Sequence, residues 1–450
     1  MTKSNAGWRS AFSVYARPRV LGMIFLGFSA GLPFSLVSTT LSAWLADEHV
    51  SLSVIGYFSL VGIAYSIKVF WAPVVDRAHL PLLGRLLGKR RSWMLLAQVG
   101  ITAGLFAIST IDMHLHLQQV AMLAVWVAFC SATQDITIDA YRIEAVMPKY
   151  QGAMAAMYVF GYRLALLMAG AGALYIAEYG SWRLAYQAMT AAMLVGIVTT
   201  LVISEPDHSA DILAKEIEGK IESALGVDKA RPVLASVLKW FSDAIVSPFV
   251  EFFQRNGKTA IWILLLIGIY KISDMAMGVM ALPFYLDLGF SKTEIADVSK
   301  IFGFFMTIFG TSLGGVLVVR FGIMRPLLLG AILAALTNLL FAVLAAGKPS
   351  LAFLAGVISV DNLSGGIAAA AFIAYLSSLT NTAYTATQYA LFSSLMTLPA
   401  KLIGSFSGNI AKAYGYDVFF IYSAIIGMPA IALVILLMKI PMPMLVKAEE

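Results

Sequence analysis

The chain has 450 residues, 60% of them apolar and 12% charged, with a mean hydropathy of +0.84. Soluble domains carry about 45–50% apolar and about 25% charged residues, so this composition excludes an ordinary soluble globule. The net charge of +6 is read as basic loops beside a lipid bilayer, not as a nucleic-acid footprint, and the single cysteine, Cys130, excludes an internal disulfide framework or a cysteine-based metal centre.

The N-terminal stretch from Met1 to Arg19 has no small-residue cleavage site, so the first apolar run is expected to stay in the membrane. A spanning helix needs about 20 apolar residues. Apolar runs that long fall near 20–45, 52–75, 93–110, 120–141, 153–176 and 183–203, then near 260–286, 294–319, 326–346, 351–378, 388–413 and 418–439. Segments of alternating polarity, the mark of a membrane β-barrel, are missing. The expected fold is an all-α membrane protein of twelve transmembrane helices in two pseudo-symmetric six-helix bundles, 1–203 and 259–450. A polar linker, 204–258, joins them.

Within the linker, Leu213, Ile217, Ile221 and Leu225 recur every four residues, and Val233 to Phe253 mixes aromatic with charged side chains. Both stretches predict helices at the membrane interface that clamp the halves together. Basic residues set the orientation. Twenty-two lie in the tails, the linker and the even-numbered loops, against Arg183, Lys292 and Lys348 on the opposite side. The positive-inside rule then puts both termini and the linker in the cytoplasm.

The halves resemble an internal repeat. Gln151-Gly152-Ala153 and Gln388-Tyr389-Ala390 open spans five and eleven, Arg163 and Lys401 follow about three turns in, and each span ends in Tyr-Gly. Two six-helix halves of this kind describe the major facilitator architecture. The loop after span two runs Asp76-Arg77 and, further on, Gly88-Lys89-Arg90-Arg91, which resembles the signature loop of those transporters. Its physical sense is a gating latch in which Asp76, with Arg77 and Arg142 nearby, pairs with cations and a helix end when one side is shut. The second half repeats the glycines and arginines without the aspartate.

Ionisable groups inside spans are the best functional pointers, because each costs roughly 2.5–3.5 kcal/mol at mid-bilayer. Span four carries Gln134, Asp135, Asp139 and Arg142, the three charged residues on one helix face. Lys68, Arg163, Lys271, Asp274, Lys300, Asp361 beside Asn362, and Lys401 complete the set, with Lys68 and Arg142 nearest a surface. Arg163, Lys271 and Lys401 suit an anionic solute, and Arg163 and Lys401 are expected to face one another across the cavity. Gln134, Asn362 and Tyr162 offer hydrogen bonds, and Trp126, with Trp44 and Tyr270, offers faces for sugar rings. Asp135, Asp139, Asp274 and Asp361 are the candidate proton carriers. The five histidines fall outside the spans, and no glycine-rich nucleotide loop is present, so an ATP-driven pump is excluded. A polytopic transferase is the reading from another class, but it needs a catalytic His/Asp cluster that this sequence does not show.

Several stretches resemble the AmpG muropeptide permeases: Gly27-Phe28-Ser29-Ala30-Gly31-Leu32-Pro33, Cys130-Ser131-Ala132-Thr133-Gln134-Asp135-Ile136, Tyr270-Lys271-Ile272-Ser273-Asp274 and Ser247-Pro248-Phe249. The resemblance covers all twelve core helices. It implies a bacterial inner-membrane permease, monomeric and without a cofactor, that imports anhydro-muropeptides (GlcNAc joined to 1,6-anhydro-MurNAc, with or without peptide) on protons. That role belongs to peptidoglycan recycling and, indirectly, to β-lactam resistance. Enterobacterial members continue into two further C-terminal helices. An acetyl-CoA-transporter-like or other organic-anion permease is the alternative within the fold.

Overall fold

The computed structural model describes residues 13–50, 58–113, 115–206, 246–347, 350–404 and 406–440, in which every regular element is a helix. The first-half spans are α1 (Pro18–Asp47), α2 (59–77), α3 (Lys89–Thr110), α4 (Leu117–Glu144), α5 (Pro148–Tyr179) and α6 (Trp182–Val202). The second half has α7 (Thr259–Asp287), α8 (Asp297–Phe321), α9 (Met324–Ala346), α10 (Leu351–Leu379), α11 (385–414) and α12 (Tyr416–Lys439). Ten of these are long and apolar enough to cross a membrane by composition alone. The other two, α2 and α11, fall short for physical reasons. The first is broken into short α and 3-10 pieces around Lys68 and Pro73, and the second opens on Thr385, Thr387 and Gln388 and carries Lys401.

The α2–α3 loop, the α4–α5 turn and the chain after α6 lie at one end of the bundle, called here the basic end. The C-terminal end of α1 and the Gly180 and Gly415 turns lie at the opposite end. The expected linker helix around Leu213 to Leu225 lies outside the described residues. Of the second linker stretch, only the part from residue 246 is described. It forms the helix Ser247–Asn256, which is docked against the bundle and not spread on a surface. Its Glu251 accepts from Asn381 Nδ2 (2.8 Å) and Gln388 Nε2 (2.7 Å), and Arg255 donates to the Leu379 carbonyl (2.8 Å).

Helices in lipid gain nothing from burying leucine, so they associate through close van der Waals contact at small residues. In the first half, a Cβ on Gly27 would collide with the Tyr158 carbonyl and one on Gly161 with the Ile24 carbonyl, so α1 and α5 touch backbone to backbone. Gly310 and Gly366 bring α8 and α10 together in the same way. Gly161→Val should therefore push α1 and α5 apart, where overpacking costs about 1–3 kcal/mol or more. The expected result is a lower melting temperature and less monodisperse protein. Gly170→Ala, which meets no atom within 4 Å, should leave both unchanged.

Between the halves, α5 lies against α8 and α10, and α11 lies against α2 and α4. Along the second seam, Ala72 and Val75 of α2, Ile136 and Ala140 of α4, and Ala386 and Ala390 of α11 form one buried apolar cluster. Along the first, Gly152 of α5 and Gly315 of α8 pack closely: a Cβ on Gly152 would strike Val318, and one on Gly315 would strike Tyr15 Oη and the Gly152 carbonyl. A carboxylate latches the α2–α11 seam, while close glycine packing marks the α5–α8 seam.

Candidate functional site

At the basic end, Asp76 ends α2 in a buried position. Its Oδ1 accepts from Arg90 Nη2 (2.8 Å) and the Ala386 N–H (3.1 Å); its Oδ2 accepts from the Thr387 N–H (2.6 Å) and Oγ1 (2.7 Å). Those N–H groups belong to the first turn of α11, where no intrahelical acceptor exists and the helix dipole is positive. One carboxylate of the first half thus caps a helix of the second. Arg90 is also buried, and it spans Glu144 (Nη2 to Oε1, 2.6 Å) and Thr385 Oγ1 (2.7 Å), while Thr385 donates to Glu144. Glu205 holds Arg90 from behind, accepting the N–H groups of Arg90 (2.7 Å) and Arg91 (3.0 Å). Gly88, at φ +87°, is required there, because a Cβ would run into the Glu205 side chain.

The cation on Asp76 is thus Arg90, fourteen residues on, and the expected neighbour Arg77 stands half-buried in the last turn of α2. Sequence reasoning placed Arg90 in the signature loop without singling it out as the partner of Asp76, and missed Glu144, Glu205, Thr385 and Thr387 as latch parts. The one available signal was the pair of hydroxyl residues opening span eleven, a common helix-start pattern.

Deeper in the first half, Asp139 of α4 pairs with Lys68 of α2 (3.6 Å) and Arg142 (3.3 Å). Arg142 is fully buried and donates across the halves to Ser377 Oγ (2.7 Å), with Tyr389 of α11 stacked at 5.0 Å. Lys68 and Arg142 are therefore network members, not surface cations as their position near span ends had implied. One turn along α4, Asp135 has neither a hydrogen bond nor an ion pair among the described residues, and its Oδ1 is buried. Tyr65 of α2 and Tyr158 and Tyr162 of α5 stand close enough to feel its charge. In the second half, Lys271 bonds Asp274 (2.8 Å), Asp361 accepts from Thr337 Oγ1 (3.1 Å), and Asn362 accepts from Thr307 Oγ1 (2.8 Å).

The other candidate residues are placed as follows. Trp126 points away from the charges: nine residues separate it from Asp135, which at about 100° per residue is half a revolution of α4. Its Nε1 donates to the Gly100 carbonyl of α3 (3.1 Å), so it packs on the periphery and is not a sugar platform. Gln134 is also removed from any solute path, fully buried between α1 and α4 with Ser29 donating to its Oε1 (3.1 Å). Trp44 stacks on Trp182 and Tyr270 on Phe372, both inside the bundle. Arg163 and Lys401 occupy different seams and do not meet. Arg163 lies eleven residues, three turns, beyond Gly152, on the face of α5 that meets α8. It is exposed, with no bonded partner among the described residues. Lys401 of α11 is also exposed and donates to Ser66 Oγ of α2 (3.0 Å).

This arrangement, two helical halves closed at one end with charged groups held at mid-depth between them, is that of a multi-pass membrane transporter, not an enzyme. Residues 23–403 match the model of the Major Facilitator Superfamily, and the chain belongs to that family. It is 34% identical over 424 residues to the anhydromuropeptide permease of Escherichia coli K12, covering 94% of this chain and 80% of the relative. It is 32% identical over 423 residues to a transporter designated AmpG 4 of Rickettsia felis, covering 94% and 97%. Among solved structures, the proton:xylose symporter XylE with bound 6-bromo-6-deoxy-D-glucose superposes with a TM-score of 0.66 at 15% identity, covering 98% of this chain and 99% of that one. A bacterial homologue of ferroportin in an outward-facing state follows at 0.65 and 12% identity, covering 94% and 98%. At such identities these two structures show the fold alone.

Proposed function

We propose that this transporter imports anhydro-muropeptides from the periplasm across the bacterial inner membrane, coupled to protons, with no other cofactor and as a monomer. The substrate class follows from the E. coli relative, an anhydromuropeptide permease alike over nearly the whole chain. The coupling reading rests on one observation above all. Asp135 is a half-buried carboxyl whose buried Oδ1 has no partner among the described residues, one helical turn from the Lys68–Asp139–Arg142 network that reaches into the second half. It can gain or lose a proton without breaking an ion pair, whereas Asp139 and Asp274 cannot. Charge bias puts the basic end and both termini in the cytoplasm, so the latched conformer is closed toward the cytoplasm and Asp76, Arg90 and Arg142 act as its gate. Arg163, Lys271 and Lys401 receive the anionic parts of the solute, with Tyr162 and Asn362 at its hydroxyl and amide groups.

Uptake of labelled anhydro-muropeptide into proteoliposomes tests this directly. An inward proton gradient should drive accumulation, and an uncoupler should abolish it. Unlabelled muropeptide should compete, while acetyl-CoA and a simple dipeptide should not. Competition by acetyl-CoA would move the assignment to the other branch of the fold. A charge-assisted bond to a substrate carboxylate contributes about 1.5–3 kcal/mol, roughly 10- to 150-fold in affinity. Arg163→Gln should therefore weaken the peptide-bearing substrate by such a factor and the peptide-free disaccharide much less. Equal losses for both would assign Arg163 to structure.

A further inference from the structure

Lys401 is a cation far along a membrane helix, yet its hydrogen-bond partner is a neutral hydroxyl, Ser66 Oγ at 3.0 Å. The other intramembrane cations bonded in the described residues are met by carboxylates: Lys68 by Asp139, Arg142 by Asp139, Lys271 by Asp274. The ammonium–hydroxyl bond is itself charge-assisted, but Ser66 satisfies one N–H of Lys401 and supplies no counter-charge, so the charge is left unmatched. The contact also joins the halves. Ser66 is on α2 and Lys401 on α11, the same two helices that Asp76 latches nearer the basic end, and the Lys401 side chain remains exposed.

We infer that Ser66 is a positioning residue that parks the Lys401 ammonium across the α2–α11 seam in the substrate-free protein, and that an arriving carboxylate draws Lys401 off Ser66 and so releases the deep end of that seam. The inference rests on the anionic-solute reading above and adds a link from substrate charge to opening. The exchange has a favourable sign, because a neutral acceptor is replaced by a charged one at the same cation. Neutralising the cation in advance should stop it. A solute lacking that carboxylate, by the same argument, should be taken up without drawing on Lys401 and so independently of the Ser66 contact.

The test compares Ser66→Ala, Ser66→Asp and each of them combined with Lys401→Gln, in proteoliposomes, using the free-acid and carboxamide forms of one anhydro-muropeptide. Ser66→Asp supplies a resident carboxylate. It should raise the KM for the free acid about tenfold or more and lower kcat, with less than about a twofold change for the carboxamide. Ser66→Ala should lower the KM of the free acid about two- to fivefold, since no bond has to be exchanged. Both effects should vanish in the Lys401→Gln background. In detergent and without substrate, Ser66→Asp should raise the melting temperature only where Lys401 is present. Equal changes for acid and carboxamide, or effects that persist without Lys401, would overturn the inference. If the wild type takes up no muropeptide, the substrate reading fails, and the melting comparison still decides whether Ser66 and Lys401 share the seam.

Discussion

Asp76→Asn should slow uptake at least tenfold while leaving a folded protein. Asp76 accepts four bonds from three sources, the Arg90 guanidinium, two backbone N–H groups and a hydroxyl, all donors. A carboxamide keeps the shape but turns one of its two heavy atoms into a donor facing donors, and it removes the charge that Arg90 and the α11 N-terminus hold. Removing one member of a buried pair costs about 3–5 kcal/mol, and every 1.4 kcal/mol is about tenfold in the open-to-closed ratio. Arg90 retains Glu144, so the loss falls on the seam and not on the fold of the first half. Thr387→Val, which removes a single hydrogen bond worth about 1 kcal/mol, should show a much smaller effect. The direct reading is a thiol at Ala390→Cys, buried one turn below the latch in the apolar cluster between α2, α4 and α11. With Cys130 replaced, it should be protected from a reagent applied at the basic end in the latched protein and labelled rapidly in the Asp76→Asn variant. Unchanged labelling with normal uptake would reduce the loop to a cluster that only orients the chain in the membrane.

Accumulation against a gradient should be lost in Asp135→Asn, while exchange of labelled for unlabelled substrate continues. The amide fills the same volume beside Tyr65, Tyr158 and Tyr162 and cannot titrate, so the cleft is kept and the coupling goes. Asp139→Asn should behave differently. It leaves the Lys68 and Arg142 cations without their carboxylate in a buried site, so a drop in melting temperature should accompany the loss of transport. Should Asp135→Asn accumulate substrate fully, the carrier is sought at Asp361, a carboxyl of α10 that accepts from Thr337 and that no cation bonds among the described residues.

Ten spans were legible in the sequence as long apolar runs ended by charge or turn chemistry, while α2 and α11 show only as shorter runs interrupted by Lys68 and Lys401. Even the broken α2 was bounded correctly at its basic end by Asp76-Arg77. The latch was legible as a type of contact: a carboxylate after span two meeting a cation and a helix end. Its cation was not, since Arg90 joins Asp76 only once α3 folds back past the loop helix Leu83–Leu87. Polarity along α4 marked its charged face, yet Gln134 and Trp126 were counted toward the solute when helical geometry turns one toward Ser29 and the other half a revolution away. The seams themselves are facts of tertiary arrangement. Repeat symmetry gave Arg163 and Lys401 similar depths but not the separate crossings, α5 with α8 and α11 with α2, on which they stand.

The interrupted spans α2 and α11, with their intramembrane charges, bear on how the chain is made. Each carries groups that cost roughly 2.5–3.5 kcal/mol apiece to place at the centre of a bilayer, Lys68 in one and Lys401 in the other. Their polar faces are covered by each other only after more than three hundred residues of further synthesis, because Asp76 waits for Ala386 and Thr387. During translation α2 must therefore sit in the membrane as an unfinished segment, shielded by α4 through Lys68 and Asp139 until α11 arrives. A first half synthesised alone should be inserted poorly and degraded quickly. Supplying the second half as a separate chain should restore its lifetime, and variants of Asp76 should weaken that rescue.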